Sequence, residues 1–236
     1  MIKISDRLHA AASLVGSGHV LADVGTDHGY VPIYLLEQKR IPRAIAMDIN
    51  SGPLARAKEH VRLYGMEDYI ETRLSDGVAS LAPGEADTVL IAGMGGGLTI
   101  RILDAGKDVC RRAEELVLQP QSEVERVRRY LAECGYAVEA EEMVCEDGKY
   151  YPMMRVSYRP GETGAAPEKE AFYRYGGLLL EGRHPVLLAY LEKERAVQNR
   201  IYETIKAQPR TEQIEKRIDE VCHMLKTNGE ALTYYK

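Results

Sequence analysis

The chain has 236 residues, 45% of them hydrophobic and 28% charged, with a formal net charge of −5; this is a globular balance with room for one large domain and a smaller appendage. No apolar run approaches the ~20 residues that a bilayer-spanning helix needs, so no membrane span is expected; the net acidity argues against a protein that coats nucleic acid through overall charge. Asp6, Arg7 and His9 interrupt the place where a secretory signal would need its apolar region, which leads to the expectation of a cytoplasmic protein.

In chain order, Ser5 and Asp6 precede Leu8, Ala11, Ala12 and Val15 at helical spacing, which predicts a capped helix ending at Gly16 or Gly18. Short apolar runs then recur at Val20 to Val24, Ala44 to Met47, Asp87 to Ala92 and Leu116 to Leu118, read as buried parallel strands. Between them lie helical patterns at Val31 to Lys39, Pro53 to Tyr64, Leu98 to Lys107 and Glu123 to Cys134. This alternation predicts a doubly wound α/β domain, an open sheet with helices on both faces.

The rhythm changes after Cys134. Ala137 to Val144 and Tyr150 to Tyr158 flank the turn signal Glu146-Asp147-Gly148, predicting a terminal antiparallel hairpin. Arg159 to Pro167 reads as a linker, dividing the chain into a catalytic domain over 1–160 and a helical arm over 161–236. In the arm, Ile214, Ile218, Val221 and Leu225 face Ile201 and Ile205 across a break at Pro209, which predicts a coiled-coil-like helical hairpin whose first seam is interrupted by Glu194 and Gln198. Cys110, Cys134, Cys145 and Cys222 form no C-x-x-C pair and have no histidine at metal spacing; four reduced, buried thiols and no metal are expected.

The most informative segment is Asp23-Val24-Gly25-Thr26-Asp27-His28-Gly29-Tyr30, where the first strand should give way to the first crossover helix. Glycines there let the backbone approach a ligand closely. Asp48, 23 residues after Gly25, ends the next strand, where a carboxylate suits both hydroxyls of a ribose. A dinucleotide fold would place glycine where Asp27 stands, because a carboxylate repels pyrophosphate. An acidic loop instead suits a cofactor with a sulfonium and an amino group, as in S-adenosylmethionine. Asp76 and Gly77, at the third strand's exit, add an acceptor for an adenine amine. The run Ala92-Gly93-Met94-Gly95-Gly96-Gly97 leaves space beside a methyl group. The cofactor-binding set is therefore Asp23, Gly25, Thr26, Gly29, Asp48, Ile49, Asp76, Gly77, Gly93 and Met94.

With Ser5-Asp6-Arg7-Leu8, Asp48-Ile49-Asn50, Ser75-Asp76-Gly77, Ile91 to Gly96 and Leu118-Gln119-Pro120-Gln121 added, the whole chain resembles the bacterial tRNA (adenine(22)-N1)-methyltransferase family. The resemblance implies a Rossmann-like class I methyltransferase domain with a seven-stranded sheet, S-adenosylmethionine as donor, and N1 of one tRNA adenine as acceptor. Enzymes that methylate the exocyclic amine usually carry an Asn- or Asp-Pro-Pro-aromatic segment after the fourth strand; here that place reads Ala-Gly-Met-Gly-Gly. N1 already holds an in-plane lone pair, so positioning matters more than a strong base.

The catalytic candidates are Asp27, His28 and Tyr30. Asp27 would stabilise charge on the methylated ring or order the sulfonium's surroundings, or else bond its own loop's amides. His28 would orient the base or cap a helix, and Tyr30 would stack on it. Arg7 is a tRNA-binding candidate, with a surface salt bridge as the alternative. From Glu168 onward the chain carries 12 Lys and Arg against 11 Asp and Glu, a mild asymmetry consistent with an arm touching tRNA backbone. No protein partner is implied. Two other readings fit the same residues: a methyltransferase of this fold acting on another RNA or a small molecule, and a non-catalytic cofactor-binding module.

Overall fold

The computed structural model describes residues 2–159, 161 and 169–236. Five parallel strands, β1 (Leu21–Val24), β2 (Ala44–Asp48), β3 (Ile70–Leu74), β4 (Thr88–Met94) and β5 (Glu115–Pro120), are joined to a hairpin, β6 (Tyr136–Glu146) and β7 (Lys149–Tyr158). The sheet order is β3-β2-β1-β4-β5-β7-β6, with β7 antiparallel to both neighbours. All seven strands of the class I methyltransferase sheet are thus present.

The strands read as continuous apolar runs because both faces are covered. Alternate residues of β1 face opposite ways: Ala22 and Val24 join a core with Ile45, Met47, Val89 and Leu118, while Leu21 joins one with Ala44, Ala46, Leu90 and Val117. Helices α1 (Asp6–Ser13) and α2 (Tyr30–Glu37), with Val61 of α3 (Ser51–Leu63), close the second core. The first is closed by Ile102 and Leu103 of α4 (Gly96–Ala105), Cys110 of α5 (Lys107–Cys110) and Val127 and Leu131 of α6 (Val124–Glu133). From β1 the chain winds outward to β2 and β3, then returns to place β4 on the other side. The reversal leaves a crevice at the C-terminal ends of β1 and β4, where open α/β sheets hold ligands.

Several boundaries differ from the sequence expectation for tertiary reasons. Helix α1 ends at Ser13 rather than at Gly16 or Gly18, and the Arg40 guanidinium takes the carbonyls of Ala12 (3.0 Å), Ser13 (3.4 Å) and Val15. The helix expected over Leu98 to Lys107 is two, α4 and α5, meeting at Gly106; a Cβ there would stand 2.1 Å from Val78 Cγ2. The hairpin turn is Asp147-Gly148, with φ of 50° and 73°, the left-handed pair of a two-residue connection. Cys110 is buried as expected and burial pushes its thiol up to about 12, but Cys145 and Cys222 are exposed because each lies on a solvent-facing position of its element. The expected linker, Arg159 to Pro167, falls outside the described residues except for 159 and 161.

The chain divides into units Met1–Ala166 and Pro167–Lys236. The second contains α7 (Glu170–Tyr175), α8 (Gly177–Glu181), α9 (Pro185–Lys206) and α10 (Glu212–Leu232). Helix α9 packs on α10, whose first turn is capped by Thr211 accepting from Ile214 N at 3.2 Å. The two do not meet along an uninterrupted apolar seam. Glu194 of α9 is a nearly buried acceptor for Arg174 Nη2 (2.8 Å), Tyr175 Oη (2.6 Å) and Asn228 Nδ2 (3.1 Å). Among the described residues no helix is long and apolar enough to cross a membrane.

Candidate active site

The loop after β1 is pinned from below: Gly25 N and Thr26 N both donate to Met47 O at 2.8 Å. Gly25 holds φ at +77°, a conformation that disfavours side chains, and a Cβ on it would meet Met94 Cε at 2.1 Å. On the facing strand, Gly93 forms a bulge in which the β4–β5 register shifts between Ala92 and Met94. The bulge turns the Gly93 N–H away from the ladder and onto Gln119 Oε1, 3.1 Å away. Between these loops lies a cavity of about 330 Å³, lined by Arg7, Leu8, Asp23, Gly25, Thr26, Asp27, His28, Tyr30, Gly93 and Gln121 among others.

Asp23 is the cavity's buried charge. Burial pushes its carboxyl up from 3.8 to about 6; Thr26 opposes the shift and the Asp48 charge adds to it. Asp48 closes β2, its Oδ1 accepting from Asn50 N at 2.7 Å, and Ile49 beside it is 56% exposed. Leu74, the residue paired with Asp48 across the sheet, is equally open at 59%. Asp76 lines a separate cavity of about 190 Å³ with Val78 and Arg101, and Gly77 turns beneath it against Ile102. Gly29 begins α2 as its N-cap.

The sequence-derived residues therefore fall into three places along the strand ends. Arg7, Asp23, Gly25, Thr26, Asp27, His28, Tyr30 and Gly93 share one cavity, Asp48 and Ile49 lie at the end of β2, and Asp76 and Gly77 lie past β3. A glycine cradle, a strand-end carboxylate, an exposed aliphatic side chain and an uncompensated buried carboxylate fit a nucleoside joined to a cationic tail. Asp23 and Asp27 line the cavity where a pyrophosphate would have to approach the glycine turn, and their carboxylates would repel it. A larger cavity of about 580 Å³, among Gly18, Lys39, Arg40, Tyr64 and Tyr69, lies at the opposite, N-terminal edge of the strands.

Asp27 is 62% exposed and bonds a side chain rather than its own loop's amides: Arg56 Nε and Nη2 both donate to its Oδ1, at 3.1 and 2.5 Å. Its Oδ2 stands 3.6 Å from His28 Nε2. The His28 ring stacks on Tyr30, with centroids 4.9 Å apart and 9° between planes, and on His60 at 5.0 Å. One face of Tyr30 is thus already covered. His28 Nδ1 is buried with no hydrogen-bond partner, while His60 Nδ1 lies 3.1 Å from His28 O, as expected if it carries the donated proton. Arg7 is drawn inward: its Nη1 donates to Gln119 Oε1 at 2.9 Å and its guanidinium lies over Tyr151.

Arg56 and His60 are the contributors that the sequence reading passed over, and Gln119 entered it only within the segment Leu118-Gln119-Pro120-Gln121, without a role of its own. Arg56 and His60 stand four apart on α3, a spacing that puts them on one side of that helix. Nothing in the sequence tells that this side faces the loop after β1. Of the three, Gln119 carried a readable signal, a polar residue directly after the apolar run Leu116 to Leu118.

Comparison with known proteins agrees with the geometry. A family model described as a methyltransferase domain matches residues 4–154. The tRNA (adenine(22)-N(1))-methyltransferase of Bacillus subtilis (strain 168) is 34% identical, covering 99% of this chain and 98% of its own. The solved structure of the B. subtilis m1A22 tRNA methyltransferase superposes with a TM-score of 0.87 at 33% identity, over 98% of this chain and 100% of that one. A Streptococcus pneumoniae structure, a putative tRNA (m1A22) methyltransferase in complex with S-adenosyl-L-methionine, gives a TM-score of 0.84 at 30% identity and the same coverage.

Proposed function

This chain belongs to the tRNA (adenine(22)-N1)-methyltransferase family, and from that premise we propose that it transfers a methyl group from S-adenosylmethionine to N1 of adenine 22 in tRNA, in the cytoplasm. The observation that carries the reading is the acidic, glycine-cradled cavity at the β1–β4 crevice, in a chain similar over its whole length to enzymes of that activity. Asp48 would hold the ribose hydroxyls, Ile49 and Leu74 the faces of the cofactor's adenine, Asp76 its amine, and Asp23 the ammonium of the amino-acid tail. Gly25, Thr26, Gly29 and Gly77 shape the backbone around it, while Gly93 and Met94 border the acceptor side.

When bound, S-adenosylmethionine supplies a methyl carbon whose bond to sulfur breaks, with both electrons going to sulfur, as adenine N1 bonds that carbon; no proton moves. The protein's work is to extrude the base, hold its lone pair in line and tolerate the positive charge that appears on the ring. Tyr30, stacked with His28 and His60 and partly buried, borders the cavity where the base would stack. Asp27 supplies negative charge at the cavity's rim, and Arg7, fixed by Gln119, a cation for the nucleotide's phosphate.

The test is incubation with labelled S-adenosylmethionine and unmodified bulk tRNA, followed by digestion and nucleoside mass spectrometry. The expected product is 1-methyladenosine, and it should disappear when a tRNA transcript with position 22 changed from adenosine is the substrate. Cofactor binding with no modified nucleoside would leave the methyltransferase fold and remove the substrate.

A further inference from the structure

The proposed role of Asp27 meets a physical obstacle in the structure. A carboxylate stabilises a cationic base only while its own charge is available, and the Asp27 charge is already matched by Arg56, whose Nε and Nη2 converge on Oδ1. The pair sits at the rim, with the Arg56 side chain 47% exposed. Arg56 itself does not line the cavity. Exposed ion pairs hold weakly, since water and salt screen them, and a guanidinium exchanges readily between a carboxylate and a phosphate because both present the same oxygen fork.

We propose that Arg56 is a phosphate-operated latch on Asp27: a backbone phosphate flanking the extruded nucleotide takes Arg56, and the released carboxylate then faces the base as it becomes cationic. This inference rests on the tRNA reading above. Free of RNA, the pair is closed and the rim is neutral. With RNA bound, one positive charge moves to the backbone, and one negative charge is exposed at the cavity where the methyl transfer places a positive one. Loading the acceptor thereby arms the site, and Arg56 contributes to substrate affinity rather than to chemistry. Asp27 and the phosphate compete for one guanidinium, so removing either competitor strengthens the other's hold.

The experiment is steady-state methylation of an unmodified tRNA transcript over a range of salt by wild type, Arg56→Ala, Arg56→Gln and Asp27→Asn, alongside calorimetry of S-adenosylmethionine binding. For both Arg56 variants, the expected result is a KM for tRNA raised about tenfold with kcat within twofold of wild type, the pattern of lost uniform binding. The slope of log KM against log salt should fall by about one, the loss of one phosphate contact. Asp27→Asn should instead lower the KM for tRNA while lowering kcat, because Arg56 is then free in the unbound enzyme. Cofactor affinity should be unchanged in the Arg56 variants. A fall in kcat in both Arg56 variants, whatever KM does, overturns the latch and makes the pair a support for the loop; so does an unchanged salt slope or weakened cofactor binding. Failure of the tRNA reading itself is distinguishable, since it would show as no methylation by the wild type.

Discussion

Asp23 is the residue on which pH acts. Its carboxyl is raised in the folded chain from 3.8 to about 6, so the folded state holds that proton more firmly than the unfolded one. Stability from this group is therefore present below pH ~4, is lost as pH rises towards 6, and at neutral pH the full cost, up to about 3 kcal/mol, is in place. Asp23→Asn should accordingly raise the denaturation midpoint at pH 7.5 and leave it nearly unchanged at pH 4, measured on the protein without cofactor. The same variant should bind S-adenosylmethionine more weakly, and calorimetry should show wild-type affinity falling as pH drops through about 6 while that of the variant stays flat. Gly25 makes a sharper demand. With φ at +77° and Met94 Cε in the place of a side chain, Gly25→Ala requires Met94 to move and adds backbone strain of about 1–2 kcal/mol. Cofactor affinity should fall at least tenfold, and a normal binding isotherm would show that the cradle is wider than the structure has it. That Asp23, Gly25 and Asp27 would come together at one strand end was legible in the sequence from their place in one segment. Arg56, which changes what Asp27 can do, was not, because a helical arginine has no sequence mark for the loop it will meet.

At the level of elements, parallel strands were legible wherever burial on both faces produced an apolar run, as in β1, β2, β4 and β5. The bounds of β3 were not, since Glu71, Thr72 and Arg73 break the pattern on an edge strand with only one neighbour. Boundaries failed where a distant group decided them, as Arg40 does for α1 and Val78 for the α4–α5 break. In the second unit, Glu194 read as an interruption of an apolar seam, and the structure gives the reason for it: Arg174, Tyr175 and Asn228 converge on its carboxylate. Burial and the Glu194 charge both push the Tyr175 hydroxyl's titration upward, so it stays a donor. Glu194→Ala removes the carboxylate that Arg174, Tyr175 and Asn228 share and should destabilise the unit by roughly 2–4 kcal/mol in chemical denaturation, with S-adenosylmethionine affinity unaltered. A loss below about 0.5 kcal/mol would mean that water replaces the carboxylate there.

For the whole molecule, every candidate cofactor residue lies between Asp23 and Met94, within the first unit. A chain ending before residue 169 should therefore bind S-adenosylmethionine with wild-type affinity and show a raised KM for tRNA, if the helical unit serves the RNA as its mild charge asymmetry suggests; equal KM values would assign that unit another purpose. The periodicity of the apolar runs and the acidic and glycine residues at the strand ends determined the doubly wound class, the cofactor type and the terminal hairpin from sequence alone, because each depends on near neighbours in the chain. The tertiary structure alone decided that β7 enters between β5 and β6, that Arg7 turns inward to Gln119, and that Arg56 closes on Asp27. Those outcomes depend on residues 29 to 112 positions apart meeting at short range, and no local pattern records such meetings, because chain geometry and packing against the completed sheet bring them about.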